Sequence, residues 1–278
     1  MRTGMMVKNI LISSAVILMM ATDSGASVAQ KETNDQYKLV FSDEFNQADG
    51  TQPDPTKWSR AERNPSIWAR WISDSKDVVY IKNGRLICRA IPNKHLDSDS
   101  AKMLTGAIET LGKFSFQYGK VEVRMRTNSK VGNFPAAWMK AIPDHPDKRY
   151  GEIDIVEMFG KIPQVYHTVH NHMSFTLKKK NGPMREFKEK VSFTKWHVYG
   201  LEWDKDLIVW TVDGKKVGEF RREKSEQMIK DGQWTFDRPF YLRLNQSVGD
   251  GSHERLQSPN IKKTYETQFD WIRVYQKK

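Results

Sequence analysis

A single cysteine, Cys88, occurs in 278 residues, so no intrachain disulfide can form and stability has to come from packing and backbone hydrogen bonding. Cys88 lies between Ile87 and Arg89 in a strand-like run, which reads as a core thiol rather than a reactive one. Long apolar runs are scarce too. The one exception, Ile10 to Ala21, is too short to span a bilayer comfortably. No Pro/Ser-rich linker and no internal repeat divides the chain. Although Lys and Arg are numerous, they are scattered, and no helix-turn-helix, zinc-finger or aromatic RNP pattern accompanies them, so nucleic acid is not an expected partner. Helical periodicity is nearly absent; only Lys224 to Lys230 reads as a weak helix.

The N-terminal segment has the layout of a secretory leader. Arg2 and Lys8 supply a positive end, Ile10 to Ala21 the apolar run, and Ser27-Val28-Ala29 a small-x-small cleavage site before Gln30. The expected domains are therefore a leader over 1–29 and one domain over 30–278, secreted, periplasmic or at the cell surface. Lipoprotein anchoring is excluded, because the leader holds no cysteine. Cleavage would remove Arg2, Lys8 and Asp23, taking the net charge from +11 to about +10. So basic a surface suits either plain solubility or anionic surroundings such as sulfated or sialylated glycans.

Strand-like runs recur from end to end: Val78 to Lys82, Arg85 to Ala90, Lys113 to Arg126, Phe134 to Met139, Val165 to His172, His197 to Trp203, Leu207 to Val212 and Phe240 to Gln246. Asn83-Gly84 and Asp213-Gly214 are two-residue hairpin signals. Val121, Val123 and Met125 alternate with Glu122, Arg124 and Arg126, as in a strand with one wet face. The fold class expected from these features is all-β, a sandwich of antiparallel sheets in one monomeric domain.

Within that pattern, Gly151-Glu152-Ile153-Asp154-Ile155-Val156-Glu157-Met158 sets three carboxylates among β-branched residues. Isolated ionised acids are expensive to bury, so a strand built this way lines a cleft or pairs its acids with Lys and Arg. Glu152 and Asp154 point the same way, about 6.7 Å apart along the strand. Glu157, three residues beyond Asp154, would face the opposite side of a regular strand. A β-bulge at Ile155-Val156 would return it to the cleft. Two carboxylates facing one cleft are the equipment of glycoside hydrolysis: one attacks the sugar, and the other protonates the departing oxygen.

Glu-Ile-Asp-Ile-Val-Glu resembles the active-site signature of family 16 glycoside hydrolases in its bulged form. Further resembling segments are Phe41-Ser42-Asp43-Glu44-Phe45, Tyr118 to Arg124, Pro135-Ala136-Ala137-Trp138-Met139 and Trp271 to Tyr275, in the family's order. The resemblance implies a β-jelly-roll of two antiparallel sheets with a concave substrate cleft. It implies a retaining endo-hydrolase of oligo- or polysaccharides, with Glu152 as nucleophile, Glu157 as acid/base and Asp154 between them tuning charge. Trp138 is then expected on the cleft floor and His170 near the acids, in contact with substrate or Asp154.

No cofactor is expected for catalysis, although a structural calcium held by acids resembling Glu44 and Asp270 occurs in many relatives. The cluster His167, His170, His172 invites a zinc reading. Alternation opposes it, since His170 and His172 share a strand face that His167 does not. Trp68, Arg70 and Trp71 fall in a long irregular segment and are candidates for binding substrate, the two indoles by stacking on sugar rings; the alternative for the indoles is that they cap the core. Trp58 reads as core.

Two segments depart from the endo-β-1,3-glucanase branch. A Trp-Pro before the catalytic strand is replaced by Pro146 to Tyr150, and an Asn-x-Ala-Val-Gly-Gly-x-Trp segment by Asn245 to Ser252. The expected activity is cleavage of internal β-galactosidic bonds in O-glycan or poly-N-acetyllactosamine chains. A β-1,3-glucanase (laminarinase) is the alternative, and a non-catalytic carbohydrate-binding sandwich the alternative outside enzymes.

Overall fold

The computed structural model describes residues 36–278, so the leader expected over 1–29 lies outside the described residues. No helix among the described residues is long and apolar enough to cross a membrane. Fifteen strands dominate. They are β1 (Tyr37–Asp43), β2 (Ser59–Arg60), β3 (Val79–Ile81), β4 (Leu86–Pro92), β5 (Met103–Glu109), β6 (Gly119–Thr127), β7 (Asn133–Ala141) and β8 (Gly151–Met158). There follow β9 (Val165–Asn171), β10 (Glu186–Glu189), β11 (His197–Trp203), β12 (Leu207–Val212), β13 (Lys215–Arg221), β14 (Phe240–Val248) and β15 (Tyr265–Lys277). A π-helical turn, His172–Thr176, follows β9, and the weak helix expected near 224–230 is α1, Glu226–Lys230, N-capped by Ser225.

Hydrogen bonding runs β10-β9-β8-β7-β14-β5 through one layer, crosses at β4, and continues β15-β6-β11-β12-β13 through the other. This is the expected antiparallel sandwich. The faces between the layers carry the apolar residues of each strand, among them Ile153, Val169, Met139, Leu242 and Leu244 from the first layer and Val121, Val123, Tyr199, Trp210 and Ile272 from the second. Cys88 and Trp58 are in that core, and burial pushes the Cys88 thiol up to about 12, which leaves it protonated and inert.

Both hairpin signals form their turns. Asn83 and Gly84 have φ of 51° and 64°, Asp213 and Gly214 φ of 50° and 78°, the pair of positive φ values that a tight hairpin turn requires. One run differs from expectation: only Gly119–Thr127 of Lys113 to Arg126 is strand. Before it the chain turns, with Phe116 bridging to Phe240 and Tyr118 at φ 61°.

Alternation in the first layer sends every second side chain outward, and antiparallel register lines these up in rows. One row is His170, Glu152, Lys140 and Tyr241, contributed by β9, β8, β7 and β14. The next is Thr168, Asp154, Trp138, Arg243 and Glu109, ending on β5. A third is Tyr166, Glu157, Ala136 and Asn245.

Candidate active site

The third row exists because of a bulge. Between Asp154 and Glu157 the chain of β8 advances three positions while β9 moves only from Thr168 to Tyr166. On the other side, β7 advances one position, Trp138 to Ala137, while β8 passes from Asp154 to Val156. The extra residue falls where the spacing of the acids requires it. Ile155 and Val156 are both in the core, so the alternation resets and Glu157 faces the same side as Glu152 and Asp154.

Glu152 is held from three directions. The Tyr150 hydroxyl donates to its Oε2 at 2.7 Å, and Lys140 Nζ stands 3.4 Å from the same oxygen. His170 Nε2 lies 3.6 Å from Oε1. The Lys140 ammonium also sits 3.1 Å over the Tyr150 ring, and burial brings it down to about 8 despite the opposing charge of Glu152.

Asp154 is 3% exposed, which is unusual for an acid. Burial raises its carboxyl to about 6; the contact from His170 Nε2, 3.3 Å from Oδ2, pulls the other way. Burial likewise drags the His170 imidazole down, but its partnership with Asp154 and the charge of Glu152 outweigh this and leave it above the ordinary histidine value. Glu157 is pushed well above the carboxylate range, first by burial and then by the charges of Asp154 and Glu152. A carboxyl shifted in that direction holds its proton more tightly than an ordinary glutamate, which suits it to donate that proton to a leaving oxygen.

Around these acids stand the aromatic groups. Trp138 lies on the floor, 5% exposed, its Nε1 donating to Asn245 Oδ1 at 2.8 Å. Trp68 meets it edge-on at 5.0 Å, and the Arg243 guanidinium lies 4.7 Å from both rings. Glu109 anchors Arg243 at 2.8 Å. Beyond Glu157, Tyr166 is overlaid by Arg255 at 4.5 Å, and Arg255 is itself fixed to Glu186 at 2.6 and 3.0 Å.

Other candidates are placed elsewhere. Arg70 donates to the carbonyls of Ile67 and Gly249 at 2.7 and 2.8 Å and lies 4.2 Å over Trp71, so its guanidinium clamps the loop. Trp71 is half-buried against Ala90, Met103, Val248 and Tyr265, so it caps a satellite core instead of presenting an open face to sugar. Of the three histidines, only His170 reaches the acids. His167 is fully buried, with Nδ1 at 2.6 Å from the carbonyl of Ile155 in the bulge, and His172 leaves the strand to begin the π turn.

Glu44 and Asp270 do not fit a shared calcium ion. Both Glu44 oxygens accept from Arg273 at 2.8 Å, and Asp270 is paired with Arg124 and, at 3.4 Å, with Arg85. Each carboxylate is already neutralised by guanidinium. Among the described residues, the group of three with metal-ligand character is Glu152, Asp154 and His170, whose donor atoms lie within 4.8 Å of one another.

Reading the sequence did not identify Lys140, Tyr150, Arg243 or Arg255. Lys140 was signalled, since it stands two residues after Trp138 and so shares its face. Tyr150 was signalled in the same way, standing two residues before Glu152, whereas Arg243 and Arg255 arrive from a strand and a loop distant in sequence.

The description "Glycosyl hydrolases family 16" matches residues 71–273, which contain all three acids. The chain belongs to that family. Relatives within reach include a keratan-sulfate endo-1,4-beta-galactosidase of Sphingobacterium multivorum, 31% identical over 86% of this chain and 55% of its own length. A beta-glucanase of Rhodothermus marinus is 33% identical, with 81% of each chain covered. Among solved structures, the Rhodothermus marinus laminarinase superposes with a TM-score of 0.74 at 28% identity, covering 87% of this chain and 98% of that one. A structure described under endo-acting O-glycanases of the human gut microbiota superposes at 0.70 and 25% identity, covering 85% and 98%. The family 16 chain spans little more than half of the first relative and most of the second.

Proposed function

We propose that this family 16 protein is an exported, retaining endo-β-glycoside hydrolase that cleaves internal β-galactosidic bonds in O-glycan or poly-N-acetyllactosamine chains. The observation that carries the hydrolase reading is the bulge, which turns Glu157, its carboxyl raised by burial and by the neighbouring acids, toward the same cleft as Glu152. In the first step Glu152 attacks the anomeric carbon while Glu157 gives its proton to the leaving oxygen. Tyr150 and Lys140 both engage Oε2, which leaves Oε1 as the freer attacking atom. Water then enters, Glu157 takes a proton from it, and the glycosyl ester to Glu152 breaks. The His170–Asp154 pair tempers the charge between the two glutamates through both steps.

Support for a galactoside rather than a glucan comes from the wall beside Glu152. Where β-1,3-glucanases would carry Trp-Pro, this chain carries Tyr150, with Lys140 against its ring, so a polar, cationic surface replaces an apolar one. Similarity to the keratan-sulfate endo-1,4-beta-galactosidase favours the same direction. The laminarinase reading is favoured by the beta-glucanase of Rhodothermus marinus. Incubation with laminarin, keratan and mucin O-glycans, followed by mass spectrometry, separates the two. Oligosaccharides with galactose at the new reducing end are expected. Efficient depolymerisation of laminarin with no release from keratan or mucin would establish the glucanase instead.

A further inference from the structure

The segment after the π turn carries Lys178, Lys179 and Lys180 in succession and Arg185 shortly after. Its backbone is fixed. The Leu177 N–H donates to the His172 carbonyl and the Lys179 N–H to the Met173 carbonyl, each at 3.0 Å, and between them Lys178 adopts φ 55°. That left-handed conformation is one glycine enters without cost, so a lysine held there is a departure from the easy choice. The turn and the returning chain enclose a cavity of about 340 Å³, lined by all three lysines and Arg185 above Met173.

Charge in this cavity is poorly compensated. Lys179 is paired with Asp231 at 2.5 Å. Among the described residues no carboxylate is paired with Lys178, Lys180 or Arg185; the Lys178 ammonium lies 4.8 Å over the Phe175 ring, and Arg185 reaches only the Val169 carbonyl, at 3.5 Å. Cations gathered around one hollow repel each other, and an anion entering it relieves that repulsion.

The turn meets the catalytic cleft through two stacked rings, one of them under the Lys178 ammonium. Phe175, 42% exposed, lies parallel to Tyr150 at 3.8 Å, and Tyr150 donates to Glu152. Lys178, 4.8 Å over the Phe175 ring, is the member of the turn that this stack joins to Glu152, so a glycan extending from Glu152 across Tyr150 and Phe175 meets it first.

We infer that the Lys178–Arg185 turn is a subsite for an anionic substituent, a sulfate ester or a sialic-acid carboxylate, carried by the glycan bound over Glu152. This rests on the reading of the chain as a glycan hydrolase and adds a charge preference to it. Phe175 would pack on the sugar ring while Lys178, Lys180 and Arg185 hold the anion by charge-assisted hydrogen bonds.

The test compares one backbone in three forms, neutral, 6-sulfated and sialylated poly-N-acetyllactosamine, with the native protein and with K178Q/K180Q/R185Q. The ratio of kcat/KM on the sulfated or sialylated chain to that on the neutral chain should fall about tenfold in the variant, as expected for partly solvated charge-assisted contacts. Which anionic chain loses its preference identifies the source of the anion. K262Q/K263Q removes two exposed charges elsewhere and should leave the ratio as it was. An unchanged ratio in the triple variant, or an equal change in both double and triple variants, overturns the subsite. Calorimetric binding of sulfated and neutral oligosaccharides to E152Q, with and without the three substitutions, reads the subsite without turnover. If no galactoside is cleaved but the sulfated chain still binds more tightly through these residues, the activity reading fails and the subsite stands.

Discussion

Glu152 and Glu157 share a strand and a residue type, and their surroundings make them different groups. Glu152 receives a hydroxyl and an ammonium at one oxygen, contacts that suit a carboxylate anion, whereas Glu157 has burial and two neighbouring acids that favour its proton. Because Glu157 acts as an acid only while protonated, the rate should be full below its raised pKa and fall as pH rises through it. An activated aryl glycoside needs little protonation, so its initial burst with Glu157→Gln should survive and lose the alkaline limb. Natural chains should lose about 10²–10⁴-fold with the same variant. Burst rates across pH decide the assignment. A limb that persists would make Lys140, brought down to about 8 by burial, the titrating group. The acids themselves were legible because their spacing violates plain alternation. Arg243 was not, because its proximity to Trp138 depends on a distant strand packing beside β7, and although Tyr150 stands two residues before Glu152, spacing alone does not reveal that its hydroxyl turns to that carboxyl.

At the scale of the element, β8 works because of two adjacent inward residues, Ile155 and Val156, and because the bulge is fastened. His167 Nδ1 lies 2.6 Å from the Ile155 carbonyl, and burial lowers His167 to about 4, so a neutral ring donates that bond throughout the working range. From the outer layer, Trp210 Nε1 donates to the Asp154 carbonyl at 2.9 Å. His167→Leu keeps the volume and deletes the clamp. It should reduce stability by about 1–3 kcal/mol, the cost of leaving a buried carbonyl without a partner, and lower kcat more than it raises KM. Denaturant melts and steady-state kinetics measure both; native values for the two would show that the clamp is dispensable.

The bulge was readable from sequence, and so were the two hairpins with their positive-φ pairs. Other strands were not. β10 is short and charged, β13 is a basic edge, and β5 contains Gly106, where a Cβ would lie 2.0 Å from the Val78 carbonyl. Strands of this kind are selected by close backbone approach and by neighbours, which local patterning does not record.

Across the whole molecule, the sandwich serves to bring β9, β8, β7 and β14 together so that rows of outward residues form one cleft. That architecture was legible in the alternation and turn chemistry. The allocation of basic residues was not: net charge alone does not distinguish a solvated surface from a site, whereas the fold places Lys178, Lys180 and Arg185 around one cavity and Arg243 over two cleft tryptophans. The central claim is double displacement, with Glu152 and Glu157 carboxyls about 5–5.5 Å apart when substrate is bound. Proton NMR of a fresh digest tests it most directly, by following the anomeric signals of the new reducing end before mutarotation. The β-anomer should appear first and the α-anomer only later. Initial release of the α-anomer would mean inversion by direct water attack, and Glu152 would not be the nucleophile.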